Sequence, residues 1–142
     1  MAFNVLVVDD SAVMRQMVVR TLKMSGIPLA SVLEAGNGEE GLFTLQEQWV
    51  DLLLLDINMP VMNGEEMLRR VRANPETENL PVIVVSTEGS EARLHTLTEL
   101  GAAIVRKPFA PETLRDTILR ITGVTDVEYY GAVAVPSDDS DF

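Results

Sequence analysis

The sequence predicts an α/β domain built on a mostly parallel sheet. Short runs of strand length, rich in β-branched residues or leucine, recur along the chain, and each is followed by apolar residues at helical spacing. Several of these runs are apolar throughout rather than alternating, as a strand covered by helices on both faces requires. Five such βα units fit within 142 residues, an ordinary length for one domain.

The elements follow in order. Asn4 to Val8 reads as the first strand, and Ser11 precedes a helix carrying Val13, Met14, Met17, Val18 and Leu22. Ser31 to Ala35 is a weaker second strand, and Leu42, Leu45 and Trp49 mark the helix after it. Leu52 to Leu55 is the third strand, with Met67, Leu68 and Val71 on the next helix. Val82 to Val85 precedes a helix with Leu94, Leu97 and Leu100, which Ser90 is placed to cap. Ala102 to Val105 precedes a last helix with Leu114, Ile118 and Ile121. The pattern stops at Gly123. The expected organisation is therefore one domain over 1–123 and an acidic, flexible tail over 124–142, within which EYYGAVAV is a second candidate for docking on a sheet edge or another subunit.

The formal net charge of -11 repels phosphate backbones, so direct nucleic-acid binding is not expected. Such a surface suits a basic partner or a bound cation. There is no cysteine, so neither a disulfide framework nor thiolate chemistry is available. No apolar run is long enough for a membrane span, and MAFNVLVVDD lacks a basic start and a cleavage pattern, which together point to a cytoplasmic protein. Nothing in the sequence sets an oligomeric state.

Chemistry enters at the ends of the strands. The stretch LLLLDINMP runs four leucines into Asp56; the first strand ends in Asp9 and Asp10, the fourth in Ser86, and the fifth in Arg106 and Lys107. In a parallel α/β sheet, functional groups gather at the carboxyl ends of the strands. Burial of four leucines contributes about 6–12 kcal/mol before entropy and holds Asp56 at the edge of the core. Three carboxylates about 5 Å apart repel by roughly 3 kcal/mol per pair at an effective dielectric of ~20. Lys107 offsets part of that repulsion, and a divalent cation would offset more. The available ligands are oxygens, which suits Mg²⁺.

A competing reading starts from Gly36-Asn37-Gly38-Glu39-Glu40-Gly41, which fits the G-x-G-x-x-G of a dinucleotide fold, with Asp56 as the ribose-binding acid. Glu39 and Glu40 would repel the pyrophosphate. The same residues read better as a helix start, with Asn37 as the cap and both acids at the positive end of the helix. His95 stands alone as an exposed helical residue; Arg69, Arg70 and Arg72 read as a solvated helix face; and the seven methionines read mostly as core.

The motifs VLVVDDSAVMR, LLLLDINMPVMNGEEMLRRVR, LPVIVVST and IVRKPF, in this order, resemble the receiver domain of two-component response regulators over about residues 3 to 122. The resemblance implies a flavodoxin-like, doubly wound, five-stranded parallel sheet of order 2-1-3-4-5 with five helices. It also implies that Asp56 accepts a phosphoryl group from a histidine kinase. Asp9 and Asp10 would be the metal-binding pair, with Asp56 and the backbone carbonyl of Asn58 completing the protein's share of the Mg²⁺ ligands. Ser86 and Lys107 would contact the phosphoryl group, Lys107-Pro108 would be a cis peptide, and Met59, Pro60 and Gly64 would form the turn behind Asp56. Asn58 and Glu88 sit where the phosphoryl lifetime is tuned. Ile104 stands where many members carry an aromatic residue, so an aromatic swing is not the relay here. Output is expected through protein contact by the last two helices and strand, around Leu97, Ile104 and Arg106. A phosphorelay shuttle and a receiver belonging to a larger regulator are the alternatives. The chain would act on its own aspartate, not as a turnover enzyme.

Overall fold

The computed structural model describes residues 2–87 and 89–123. Glu88 and the segment 124–142, including EYYGAVAV, lie outside the described residues. The elements are β1 (Phe3–Val8), α1 (Ala12–Met24), β2 (Leu29–Ala35), α2 (Gly38–Glu47), β3 (Leu52–Leu55), α3 (Gly64–Ala73), β4 (Val82–Ser86), α4 (Glu91–Glu99), β5 (Ala103–Arg106) and α5 (Pro111–Thr122). All the strand pairs are parallel and the order is β2-β1-β3-β4-β5, as the resemblance implies.

Strand alternation splits the core into two layers. Leu53, Leu55, Val82 and Val84 face the cluster that takes in Met67, Leu68 and Val71 of α3 with Leu94 and Leu97 of α4. Leu52, Leu54, Ile83 and Val85 face the other, with Val18 and Leu22 of α1 and Leu114 and Ile118 of α5. All four leucines of β3 are at most 1% exposed, which is why their run shows no alternation.

Helix starts follow local chemistry. Ser11 Oγ accepts from Met14 N, Asn37 Oδ1 from Glu40 N, Asn63 Oδ1 from Glu66 N and Ser90 Oγ from Arg93 N. The glycines of the G-x-G-x-x-G stretch serve packing. A Cβ on Gly41 would lie 2.7 Å from Met67 Cε, and one on Gly38 would lie 3.0 Å from the Met62 side chain. Glu40 Oε1 also accepts from Gly36 N, so Glu40 closes the helix start.

Several expectations need correction. Trp49 lies beyond the end of α2 and is 77% exposed, because the helix stops at Glu47. Val13, Met17 and Met24 point to solvent from α1, so these methionines are not core. Arg72 does not belong to a solvated face. Its guanidinium donates to the carbonyls of Leu80, Glu78, Leu100 and Gly101, tying α3 to the starts of β4 and β5, and burial lowers its pKa. Arg69 and Arg70 do lie at the surface, paired with Glu65 and Glu66 one turn earlier. His95 is exposed and faces Glu99.

Candidate functional site

The sheet delivers the polar residues by extending its ladder past the strand ends. Asp9 N donates to Ala35 O at 3.1 Å, Asp56 N to Val8 O at 2.9 Å and Lys107 N to Ser86 O at 3.0 Å. The backbones of Asp9, Asp56 and Lys107 are thus each held by a bond to the neighbouring strand.

Asp9, Asp10 and Asp56 each bring a carboxylate oxygen within 4.8 Å of the others. Asp9 is buried, Asp56 half-buried and Asp10 exposed. Lys107 Nζ stands 3.6 Å from Asp9 Oδ2, and Asp9 Oδ1 accepts from Ser11 N at 3.0 Å. Burial, and then the charge of Asp9, push the Asp56 carboxyl up to about 6; Lys107 and the Ile57 N–H pull the other way, and Asp10 adds a smaller upward push. Ser86 is buried at the end of β4, and its backbone pairs in register with Arg106, the residue before Lys107. The structure therefore gathers the three acids and Lys107, with Ser86 on the adjoining strand. The donor set is all oxygen, with the like-charge crowding that a small hard divalent cation relieves, and so it fits Mg²⁺.

The turn behind Asp56 is tightly determined. Gly64 N donates to Ile57 O at 2.8 Å; a Cβ there would run into the Asp56 carbonyl oxygen and lie 2.7 Å from Ile57 Cα. Only glycine fits this approach. Met59 is buried and Pro60 exposed in the same turn. Val61 follows with φ 68°, and Met62 N reaches back to Pro60 O at 2.7 Å, a strained γ-turn. The Lys107-Pro108 peptide is cis, as the resemblance implies.

Two residues of the site had no role from sequence. Arg15 Nη1 donates to the Asp9 carbonyl at 2.7 Å while its Nε pairs with Glu34, which ties α1 to the acidic strand end. A cation near the positive end of a helix is unfavourable without such an acceptor, and that was the available signal. Arg93 of α4 donates from Nη1 to Asn58 Oδ1 at 3.3 Å. No periodicity foretells that bond, because it joins residues on different elements. Leu97, expected in the output face, is fully buried; Ile104 is partly buried against the same core layer, and Arg106 is exposed. Glu88 lies outside the described residues.

Fold and site together define a doubly wound α/β domain with an acidic pocket at the carboxyl edge of its sheet. A family model described as the response regulator receiver domain matches residues 5–119, and the chain belongs to that family. A chemotaxis protein CheY homolog of Campylobacter jejuni is 40% identical over 123 residues, which cover 84% of this chain and 92% of that protein. A high-resolution structure of the chemotaxis response regulator CheY4 of Vibrio cholerae superposes with a TM-score of 0.73 at 37% identity, covering 85% of this chain and 99% of that one. A protein-glutamate methylesterase/protein-glutamine glutaminase of Bacillus licheniformis is 45% identical over 109 residues, which span 29% of that longer protein. The chain is thus a two-component response regulator receiver, a signal-transduction regulator. No described helix is long and apolar enough to cross a membrane.

Proposed function

We propose that Asp56 accepts a phosphoryl group from the phosphohistidine of a kinase, and that the acyl phosphate reshapes a protein-binding face. The convergence of Asp9, Asp10 and Asp56 within 4.8 Å, beside Lys107, carries this reading. An Asp56 oxygen bonds to phosphorus as the phosphorus–nitrogen bond breaks, and the imidazole leaves with the electron pair. Lys107 Nζ and the Ser86 hydroxyl, from adjacent strands, take the phosphoryl oxygens. Asp9, Asp10, Asp56 and the Asn58 backbone carbonyl would hold Mg²⁺, which would supply neutralisation of the carboxylate and phosphoryl charges. Water later attacks phosphorus, releasing phosphate and restoring the carboxylate. Asn58 and Glu88 tune the rate of this step.

An apolar groove of about 310 Å³ lies next to the chemistry, lined by Met14, Met17, Thr87, Lys107, Pro108 and Phe109. With exposed Val13 and Met17, it gives the incoming kinase domain a docking face on α1. The output face is formed by α4, β5 and α5, where Ser86 and Lys107 move inward and the packing around Ile104 adjusts. The domain ends near Gly123, and the acidic segment 124–142 modulates that contact in the cytoplasm. The test is transfer of labelled phosphate from an autophosphorylated kinase domain in Mg²⁺: label should move to the chain and not to Asp56→Asn. Onward transfer to a histidine phosphotransfer domain would instead favour the shuttle.

A further inference from the structure

Trp49 is the chain's single tryptophan, and it is 77% exposed at the end of the domain opposite Asp56. An indole is usually largely buried, yet this one is held rigidly in the open. Its Nε1 donates to Asp51 Oδ1 at 2.8 Å, and Asp51 Oδ2 accepts from Asn4 N at 2.8 Å and Asn4 Nδ2 at 3.2 Å. Asn4 Oδ1 in turn accepts from Ser31 Oγ at 2.7 Å. The network anchors the ring to β1 and β2, so little side-chain entropy remains to be lost when a partner covers it.

The ring borders a cavity of about 700 Å³ between the α2–β3 and α3–β4 connections, with Leu45, Val50, Leu80 and Pro81 among its lining residues. That volume is in the range of a ligand site. Its lining includes three acids, Glu47, Asp51 and Glu76, and no lysine or arginine. Asp51 is committed to holding Trp49. Glu47 and Glu76 are exposed and form no ion pair among the described residues. The nearby Arg72 is saturated by backbone carbonyls.

We infer that this groove is a second docking site, which takes an arginine-bearing segment of a protein partner. The guanidinium stacks on the Trp49 ring, as cations do on indoles, and its donors meet Glu47 and Glu76. The apolar floor takes the flanking side chains. Lysine fits less well, because it lacks the planar fork. The groove opens at the amino ends of β3 and β4, roughly 17 Å along the sheet from Asp56 by strand rise. Its occupant therefore leaves the phosphoacceptor uncovered, and the site suits a partner that stays bound through the phosphorylation cycle.

The full chain, with Mg²⁺ present to occupy the other acidic cluster, is titrated with acetyl-Gly-Arg-Gly-Arg-Gly-amide and with its glutamine counterpart. The expected result is saturable quenching of Trp49 fluorescence by the arginine peptide and at least tenfold weaker binding of the glutamine peptide. Calorimetry should show at least fivefold weaker binding to Glu47→Gln/Glu76→Gln, and loss of the site in Trp49→Ala. These are surface changes that leave the fold intact. No quenching, equal response to both peptides, or unchanged affinity in the variants would overturn the inference. Unchanged affinity in the variants would place the contact on 124–142 or on the Asp9, Asp10 cluster.

Discussion

Lys107 Nζ and Asp9 Oδ2 lie 3.6 Å apart at the carboxyl edge of the sheet, both largely buried. Lys107 is thus shared between the acids and the phosphoryl group it is proposed to receive. In the metal-free protein it partly neutralises three carboxylates. Lys107→Ala should destabilise that form by about 2–3 kcal/mol, since removing one partner strands a buried charge. Mg²⁺ should recover part of the loss, while phosphorylation should remain slowed by about 10²-fold or more. Urea unfolding with and without Mg²⁺, beside phosphorylation rates, checks both halves; equal stability of variant and parent without metal would contradict the pairing.

Asp10 is the exposed member of the acidic cluster. Asp10→Asn removes one like charge at little cost in packing. It should raise the thermal midpoint of the metal-free protein, by about 1 kcal/mol in stability, and shrink the midpoint rise that Mg²⁺ gives the parent. Midpoints indifferent to both changes would mean that the carboxylates do not act as a cluster.

The raised pKa of Asp56 has a signed consequence. Its carboxyl titrates near 3.8 when unfolded and about 6 when folded and metal-free. Between those values the folded state holds more protons, so this group's contribution to stability falls as pH rises from about 4 to about 6 and stays low above. The gap corresponds to roughly 3 kcal/mol, reduced to about 1–2 kcal/mol by solvent screening at a half-buried site. Asp56→Asn should therefore gain on the parent across that window and be the more stable at pH 7. Parallel stability curves for the two proteins from pH 4 to 7 would exclude the shift.

Gly64 has no room for a side chain against the Asp56 carbonyl. Gly64→Ala should cost about 1–3 kcal/mol and displace the phosphoacceptor, slowing phosphorylation beyond what the stability loss explains. Gly38→Ala, whose Cβ would meet the Met62 side chain and carbonyl oxygen at 3.0 Å rather than Asp56, serves as the comparison. Equal phosphorylation rates in the two variants would remove Gly64 from the positioning of Asp56.

The sheet was legible in the sequence because its three central strands, β1, β3 and β4, are apolar on both faces over most of their length. Leu52–Leu55 matches the expected run, and the other strand boundaries differ by a residue or two. The site was legible for the same reason: charges placed directly after buried runs have to emerge at one edge. Periodicity misled at Val13, Met17 and Trp49, where an apolar residue at helical spacing faces solvent. Hydrophobic spacing reports a face and not what covers it. Arg72 and Arg93 act through partners on other elements, and no local pattern carries that information; for Arg15 the one local signal is a cation at a helix start.

Phosphorylation at Asp56 is the central claim. Intact-mass measurement after incubation with Mg²⁺ and acetyl phosphate should show one added phosphoryl group on the parent chain and none on Asp56→Asn. A parent chain that stays unmodified, or an Asp56→Asn chain that still gains the group, would contradict it.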